Sequence, residues 1–277
     1  MVRDPWSLPS PRLRRAGGVR YFLVVCLAAL AGLCSGCAKE ASSENNVYLV
    51  RSVADGDTIE LQDGRRVRYI GIDTPETRNK VGGQWVYDPE EYAEDAKKFN
   101  ESLVGGNKVR LEFDAERKDK YGRDLAFVYT DNGLMANEEL VREGYSLVYY
   151  LLPNRKHLEG FMEAQRTAME NKAGLWKGIK VITPDEAGKL SWGYCVVRGR
   201  VNYSGREGRG SFTIGFDGEK ENSLKCIIPA RNLPLFKEFG VDPAIDYTGK
   251  NVEITGKVKK GGSPVLMIVH PYQIRVL

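Results

Sequence analysis

The sequence predicts an α+β protein made of two consecutive β-rich domains, the first of which is a small β-barrel with helices. Short segments rich in β-branched and aromatic residues alternate with Asp-Gly and other glycine-containing turns, which is typical of strands. Three other segments carry apolar residues at helical spacing. The 277 residues leave room for two modest domains, each able to bury a hydrophobic core.

The first domain, residues 47–178, contains five segments with the composition and alternation of β-strands. They are residues 47–53, 58–61, 66–72, 109–113 and 125–129. Asp-Gly turns follow the first two, because Gly adopts positive φ and Asp bonds its own backbone. Five strands are enough to close a barrel of the OB type. We therefore expect an OB-fold barrel whose loops and strand ends carry the functional groups.

Three helices complete this domain. The first is predicted to begin at Asp88-Pro89, because Asp caps a helix well and Pro fits its first turn. The second is short and capped by Asn137, and the third covers residues 155–172. His157 lies at the start of the third helix, where we expect a capping or packing role rather than catalysis.

Residues 79–88 have no clear periodicity and contain two adjacent glycines. This pattern predicts a mobile loop. Its aromatic residues Trp85 and Tyr87 could stack on a nucleic-acid base or pack against the following helix, and both roles stay open.

The remainder of the chain predicts a linker over residues 179–192 and a mostly-β, OB-like domain over residues 193–277. From residue 185 onward there are 14 basic and 10 acidic residues, so the second domain carries a basic excess. It could bind single-stranded nucleic acid in a basic groove, or bind a protein or envelope component while its charges remain solvated. OB folds serve many unrelated functions, so both interpretations stay open.

The N-terminus has the pattern of an export signal. Residues 1–36 contain arginines, an apolar run over residues 21–33 and then small residues, which is typical of a signal peptide. Gly36-Cys37 resembles a bacterial lipobox, in which the cysteine is lipidated and becomes the mature N-terminus. Residues 37–46 then form a polar tether. We expect a cell-envelope lipoprotein anchored in a membrane through Cys37, with a plain secreted protein or an uncleaved membrane anchor as the alternatives.

Removal of this segment changes the charge balance. The whole chain has 41 basic and 37 acidic residues, and taking away the five arginines and one aspartate of residues 1–36 leaves 36 of each. Any affinity for nucleic acid must therefore come from local patches. Cys195 and Cys226 remain in the mature fold, either as a disulfide or as two buried thiols.

Three short polar clusters carry the candidate chemistry. They are Asp55-Gly56-Asp57-Thr58, Arg68 followed by Asp73-Thr74-Pro75-Glu76, and Asp119-Lys120-Tyr121-Gly122-Arg123. Phosphodiester hydrolysis needs a positioned water, a base, a cation and donors for the charge of the transition state. The candidate ligands for Ca²⁺ are Asp57, Asp73 and the carbonyl of Thr74, and the candidate catalytic residues are Glu76, as base, with Arg68 and Arg123. Each cluster alone also fits an ordinary turn, and only the three together indicate a site.

In this order the clusters resemble those of staphylococcal nuclease, from about residue 47 to about residue 178. The resemblance implies a Ca²⁺-dependent nuclease that hydrolyses DNA and RNA and leaves 3′-phosphate ends, and we expect unpaired strands to be preferred. It also implies substrate contacts from Lys120, Tyr121 and Tyr149. Leu151 departs from the family, which often has another tyrosine there. The alternative is an envelope protein that binds nucleic acid without cutting it, and no protein partner follows from the sequence.

Overall fold

The computed structural model describes residues 46–190, 192–208, 210–216, 224–260 and 263–277. The predicted signal peptide, nearly all of the polar tether and the lipidation site at Cys37 lie outside the described residues. Within the described ranges, no helix is both long enough and apolar enough to span a bilayer.

The first domain is a five-stranded barrel with helices, as predicted. Its strands are β1 (Val47–Asp55), β2 (Thr58–Leu61), β3 (Arg66–Tyr69), β4 (Gly71–Asp73), β5 (Arg78–Val81), β6 (Gln84–Tyr87), β7 (Lys108–Glu112), β8 (Asp124–Thr130) and β9 (Leu147–Tyr149), and its helices are α1 (Ala93–Val104), α2 (Ala136–Arg142) and α3 (Leu158–Glu170). The barrel closes in the order β1-β2-β3-β8-β7, with β3 and β8 parallel. Alternate strand residues, such as Ile59, Leu61 and Val67, fill its core because successive side chains point to opposite faces.

The second domain is also barrel-like. Its strands are β10 (Lys180–Ile182), β11 (Trp192–Glu207), β12 (Ser211–Phe216), β13 (Lys225–Ile228), β14 (Asn251–Lys260), β15 (Pro264–Met267) and β16 (Ile274–Val276), and its helices are α4 (Pro184–Ala187), α5 (Leu233–Glu238) and α6 (Pro243–Asp246). Each strand pairs with the next in the spatial order β11, β12, β13, β15, β14, and β14 also pairs with β11. Strands β13 and β15 are parallel. Both domains therefore close their barrels with the same strand order.

All three predicted helix starts differ from the structure, and helix α3 begins at Leu158 instead of residue 155. Helix α1 begins at Ala93 instead of Asp88, because the backbone N–H of Glu90 donates to the Glu76 carbonyl and this tertiary bond keeps the preceding turn out of the helix. Asn137 is buried inside α2 and does not cap it. Its side chain bonds the barrel instead, accepting from the Val128 N–H and donating to the Ile70 carbonyl.

Residues 179–192, expected to be a linker, are largely built into the second domain. Strand β10 pairs in parallel with β11, and Thr183 caps α4 through a reciprocal bond with Glu186. Cys195 and Cys226 are buried thiols on β11 and β13, and no disulfide joins these two described residues.

The two domains pack against each other through apolar and polar contacts. Leu235 of α5 is completely buried in the core of the first domain, and Tyr194 of β11 packs with Trp176. Ion pairs also cross the interface, among them those between Arg155 and Glu238 and between Arg231 and Glu116. The second domain is thus part of one packed body with the first.

Candidate active site

Asp57 lies in the tight turn between β1 and β2, almost fully buried. One carboxylate oxygen, Oδ2, accepts from the Thr74 backbone N–H at 3.0 Å and from the Thr74 hydroxyl at 2.9 Å. The other oxygen, Oδ1, accepts from the hydroxyl of Thr58 at 3.1 Å. The first and second polar clusters of the sequence therefore meet here.

Gly56 makes this close approach possible. A Cβ at this position would lie 2.9 Å from side-chain carbons of both Thr74 and Ala96. Any larger residue would push the Asp57 turn away from the Thr74 loop and from helix α1. The glycine is therefore required by packing against neighbouring elements, in addition to the turn itself.

Arg68, on β3, lies between the two candidate ligand carboxylates. Its Nη1 is 2.7 Å from Asp57 Oδ2 and its Nη2 is 3.4 Å from Asp73 Oδ1. Burial lowers the pKa of Arg68, but the charges of Asp57 and Asp73 outweigh it and the net shift is upward. The guanidinium is thus a fixed positive charge held between Asp57 and Asp73.

The acidic groups around Arg68 repel one another. Burial, followed by the charge of Asp57, raises the pKa of Asp55 to about 7. Burial and then the charges of Asp57 and Asp73 raise the pKa of Glu76. A divalent cation bound here would relieve this repulsion, and oxygen donors of this kind suit Ca²⁺. The residues present therefore fit the cation that the sequence predicts.

The protein side chains alone do not form a complete coordination shell. Among the described residues, no three histidine, cysteine or acidic side chains are grouped as a metal site. A cation held by Asp57 and Asp73 would therefore also need backbone oxygens, such as the Thr74 carbonyl, and water molecules, as Ca²⁺ commonly does.

The second domain also reaches this cluster through strand β14. The ammonium of Lys259 lies 3.5 Å from Asp73 Oδ2. Burial raises the pKa of Asp73, but Lys259, Lys257 and Arg68 together shift it below its usual value. Asp73 thus stays ionised between cations from both domains.

A buried ion pair lies behind the loop that carries Glu76. Lys257 and Glu90 pair with each other, and each side chain is only 4% exposed. The same Glu90 oxygen accepts the backbone N–H of Glu76 at 2.9 Å. The candidate base is therefore linked through Glu90 to the second domain.

Arg123 lies in the third polar cluster and is paired within it. Its Nε donates to Asp119 Oδ2 at 2.8 Å, and the Asp119 side chain also accepts the backbone N–H groups of Tyr121 and Arg123. The parallel register pairs Arg68 with Leu125, so Arg123 lies immediately before the strand that neighbours the strand of Arg68. Within the described residues, Arg123 forms its ion pair with Asp119 and none with Asp57 or Asp73.

The three candidate substrate-contacting residues lie in two places. Lys120 and Tyr121 are at the exposed tip of the turn before β8, where the Lys120 ammonium is 5.0 Å from the Tyr121 ring centre and the ring is 73% exposed. Tyr149 is half-buried on β9, which pairs with the strand that ends at Asp73. Burial and then the charge of Asp73 raise the pKa of Tyr149.

Residues 78–87 form a β-hairpin, where the sequence predicted a loop. Strands β5 and β6 pair from Arg78 and Tyr87 to the tip. Trp85 is 67% exposed, and the Tyr87 hydroxyl donates to Glu94 of α1. The hairpin begins two residues after Glu76 and presents an aromatic surface beside the site.

Four residues of this region were not predicted as site residues: Asp55, Glu90, Lys257 and Lys259. Asp55 belongs to the same short cluster as Asp57, so spacing could have identified it. Glu90 and the two lysines carry no local signal, because they become neighbours only when the domains dock.

Comparisons with known proteins match the first domain. The family model described as "Staphylococcal nuclease homologue" matches residues 66–178. The thermonuclease of Staphylococcus hyicus is 37% identical over 166 residues, which cover 56% of this chain and 95% of that protein. The chain belongs to the staphylococcal nuclease family. The thermonuclease of Staphylococcus intermedius is 40% identical over 133 residues, 47% of this chain and 76% of that protein.

Two further relatives are named endonucleases. Endonuclease YncB of Bacillus subtilis is 41% identical over 143 residues, which cover 50% of this chain and 64% of that protein. For the prophage-derived endonuclease YokF of the same organism, the match covers 46% of the protein. The chain thus spans about half to two thirds of these two relatives. The family match ends at residue 178, before the second barrel.

Proposed function

We propose that this protein is a Ca²⁺-dependent nuclease that hydrolyses phosphodiester bonds in DNA and RNA, prefers unpaired strands and leaves 3′-phosphate ends. The observation that carries the proposal is the position of Arg68 between Asp57 and Asp73, with Glu76 on the loop that leaves Asp73. The names of the relatives, endonuclease and thermonuclease, support the same reaction class.

Each residue has a separate part in the proposed reaction. Glu76 accepts a proton from the water that attacks phosphorus, and the bond between phosphorus and the 5′ oxygen breaks, so that the 5′ oxygen leaves and takes a proton from solvent. The raised pKa of Glu76 brings it closer to the range suited to a general base. Arg68 and Arg123 bind the non-bridging oxygens of the phosphate and stabilise the charge that develops on them. Ca²⁺ held by Asp57, Asp73 and the Thr74 carbonyl would supply further positive charge to the phosphate. Lys120, Tyr121 and Tyr149 contact the nucleotide.

The test is degradation of single-stranded DNA by the full chain with Ca²⁺ or with excess EDTA. We expect Ca²⁺-dependent cutting, lowered in Glu76→Gln by about 10²- to 10⁴-fold through loss of the base. Arg68→Ala should lower turnover by about 10²- to 10³-fold through loss of a charged donor. Matched controls are Glu91→Gln and Arg51→Ala, two exposed positions.

The outcomes separate the two classes of function. Normal turnover in Glu76→Gln would remove the assigned base. Folded protein that binds single strands but never cuts them would favour the non-catalytic binding protein. Binding through basic residues alone needs no divalent cation and weakens as the salt concentration rises.

We also propose that the chain is exported as a lipoprotein anchored at Cys37. The support is the sequence pattern of residues 1–37 described above. Incorporation of labelled fatty acid by the wild-type chain, and its loss in Cys37→Ala, would test this. A labelled Cys37→Ala chain would contradict the assigned site.

A further inference from the structure

Strand β14 brings two lysines of the second domain to the acidic cluster of the first. Lys257 and Lys259 are two residues apart on the strand, so their side chains point to the same face. Lys257 is buried against Glu90, whereas the Lys259 side chain is 53% exposed. One lysine therefore fixes the strand, and the side chain of the other remains partly exposed.

The backbone of Lys259 is held firmly. Residues Trp192 to Arg200 of β11 pair with Lys259 to Asn251 of β14, and β15 pairs on the other side of β14 at the same end. The ion pair of Lys257 anchors the strand to the first domain two residues away. The backbone of Lys259 is thus fixed, while its flexible side chain lets the ammonium move over a short range.

The position of that ammonium is next to the candidate catalytic groups. It lies 3.5 Å from one oxygen of Asp73, while Arg68 lies 3.4 Å from the other. It also lies close enough to Tyr149 to affect the pKa of that phenol. A phosphate bound at Arg68 and facing Tyr149 would therefore be within reach of Lys259.

A structural role alone explains this contact poorly. The Lys259 side chain is 53% exposed and that of Asp73 13%, and holding a long, partly exposed lysine in an ion pair costs side-chain entropy. Asp73 already has Arg68 as a buried partner. A hydrated ammonium beside the site can instead turn to an incoming phosphate, for which lysine serves as a point charge.

We propose that Lys259, contributed by the second domain, is a substrate-binding residue of the nuclease site that contacts a backbone phosphate of a single-stranded nucleic acid. This inference rests on the proposed function, because it places the nucleic acid at the Arg68 and Asp73 site. It gives the second barrel a direct part in binding the substrate.

The experiment measures binding apart from cutting. The full chain carrying Glu76→Gln is titrated with a fluorescent single-stranded DNA in the presence of Ca²⁺ at several salt concentrations, with and without Lys259→Ala. A hydrogen bond to a charged group corresponds to about a tenfold or larger loss of affinity when it is removed. The slope of log K against log salt should also become shallower by about 0.7, since one phosphate contact is lost.

A matched control lies immediately before the same strand. Lys250 is exposed and immediately precedes β14, about 30 Å from Lys259 at roughly 3.3 Å per residue. Lys250→Ala should leave both affinity and salt slope unchanged. Lys259→Arg keeps the charge and should recover much of the affinity.

Two results would overturn the inference. One is unchanged affinity and salt slope in Lys259→Ala. The other is tighter Ca²⁺ binding with unchanged DNA affinity in Lys259→Ala, together with faster cutting at low Ca²⁺ when Lys259→Ala is made with Glu76 intact, because Lys259 would then only compete with the cation. A chain that binds through Lys259 but never cuts would contradict the proposed nuclease activity and leave this inference standing.

Discussion

At the residue scale, Asp57 is the most constrained group of the site. Its two oxygens contact the Thr58 hydroxyl, the backbone N–H and hydroxyl of Thr74, and the guanidinium of Arg68. These contacts fix the carboxylate before any ligand arrives, and pre-organisation of this kind favours tight binding. The contacts depend in turn on Gly56, which lets the turn approach Thr74.

Gly56→Ala should therefore weaken the site and the fold together. A Cβ 2.9 Å from carbons of Thr74 and Ala96 forces the turn outward. Overpacking of this kind costs about 1–3 kcal/mol of the free energy of unfolding. We expect a lower midpoint in urea unfolding and a higher Ca²⁺ concentration for half-maximal cutting.

The control for this prediction is Gly178→Ala, where a Cβ would have no atom within 4 Å. That variant should unfold and cut like the wild type. If Gly56→Ala behaved like Gly178→Ala, the close packing of the Asp57 turn would not matter for the site.

At the scale of secondary structure, the β5–β6 hairpin is the element that differs most in kind from the sequence prediction. Its two strands have only four residues each, and the two central glycines have positive φ, as a tight hairpin turn requires. It exposes Trp85 and Tyr87 next to the loop of Glu76. An aromatic surface beside a phosphodiester site is suited to stacking on an unpaired base.

Trp85→Ala should raise KM for single-stranded DNA by about tenfold, since stacking contributes about 1–3 kcal/mol per base. We expect kcat to change little, because the residue touches no reacting atom. Steady-state kinetics on a short oligonucleotide measure both constants. Leu134→Ala, which removes another exposed apolar side chain, should leave both unchanged, and an unaltered KM in Trp85→Ala would exclude stacking.

At the scale of the whole molecule, two barrels of the same strand order are joined through a buried ion pair. Charges are rarely buried unless they are paired, and loss of one partner leaves the other uncompensated. The Lys257–Glu90 pair also holds the backbone N–H of Glu76 through Glu90. Domain docking and the position of the candidate base are therefore connected.

Lys257→Met should lower the free energy of unfolding by about 3–5 kcal/mol, because Glu90 would remain buried without its partner. Cutting should also slow, with the loss mainly in kcat, since the loop of Glu76 loses its support. Urea unfolding and steady-state kinetics test the two parts. The double variant Glu90→Gln/Lys257→Met should recover part of the stability, and a single variant as stable as the wild type would contradict the assignment.

The sequence by itself determined the first barrel, the family and the set of candidate groups. Those features are local. Alternation defines strands such as β3, and the short clusters place Asp57, Asp73 and Glu76 at or just after the ends of strands. The late start of α1 at Ala93 could not be predicted, since the bond from Glu90 to Glu76 overrides the Asp-Pro signal. Only the tertiary structure brought Lys257 to Glu90 and Lys259 to Asp73. Residues so far apart along the chain share no sequence pattern, and the partner of a buried charge can be identified only after the domains pack.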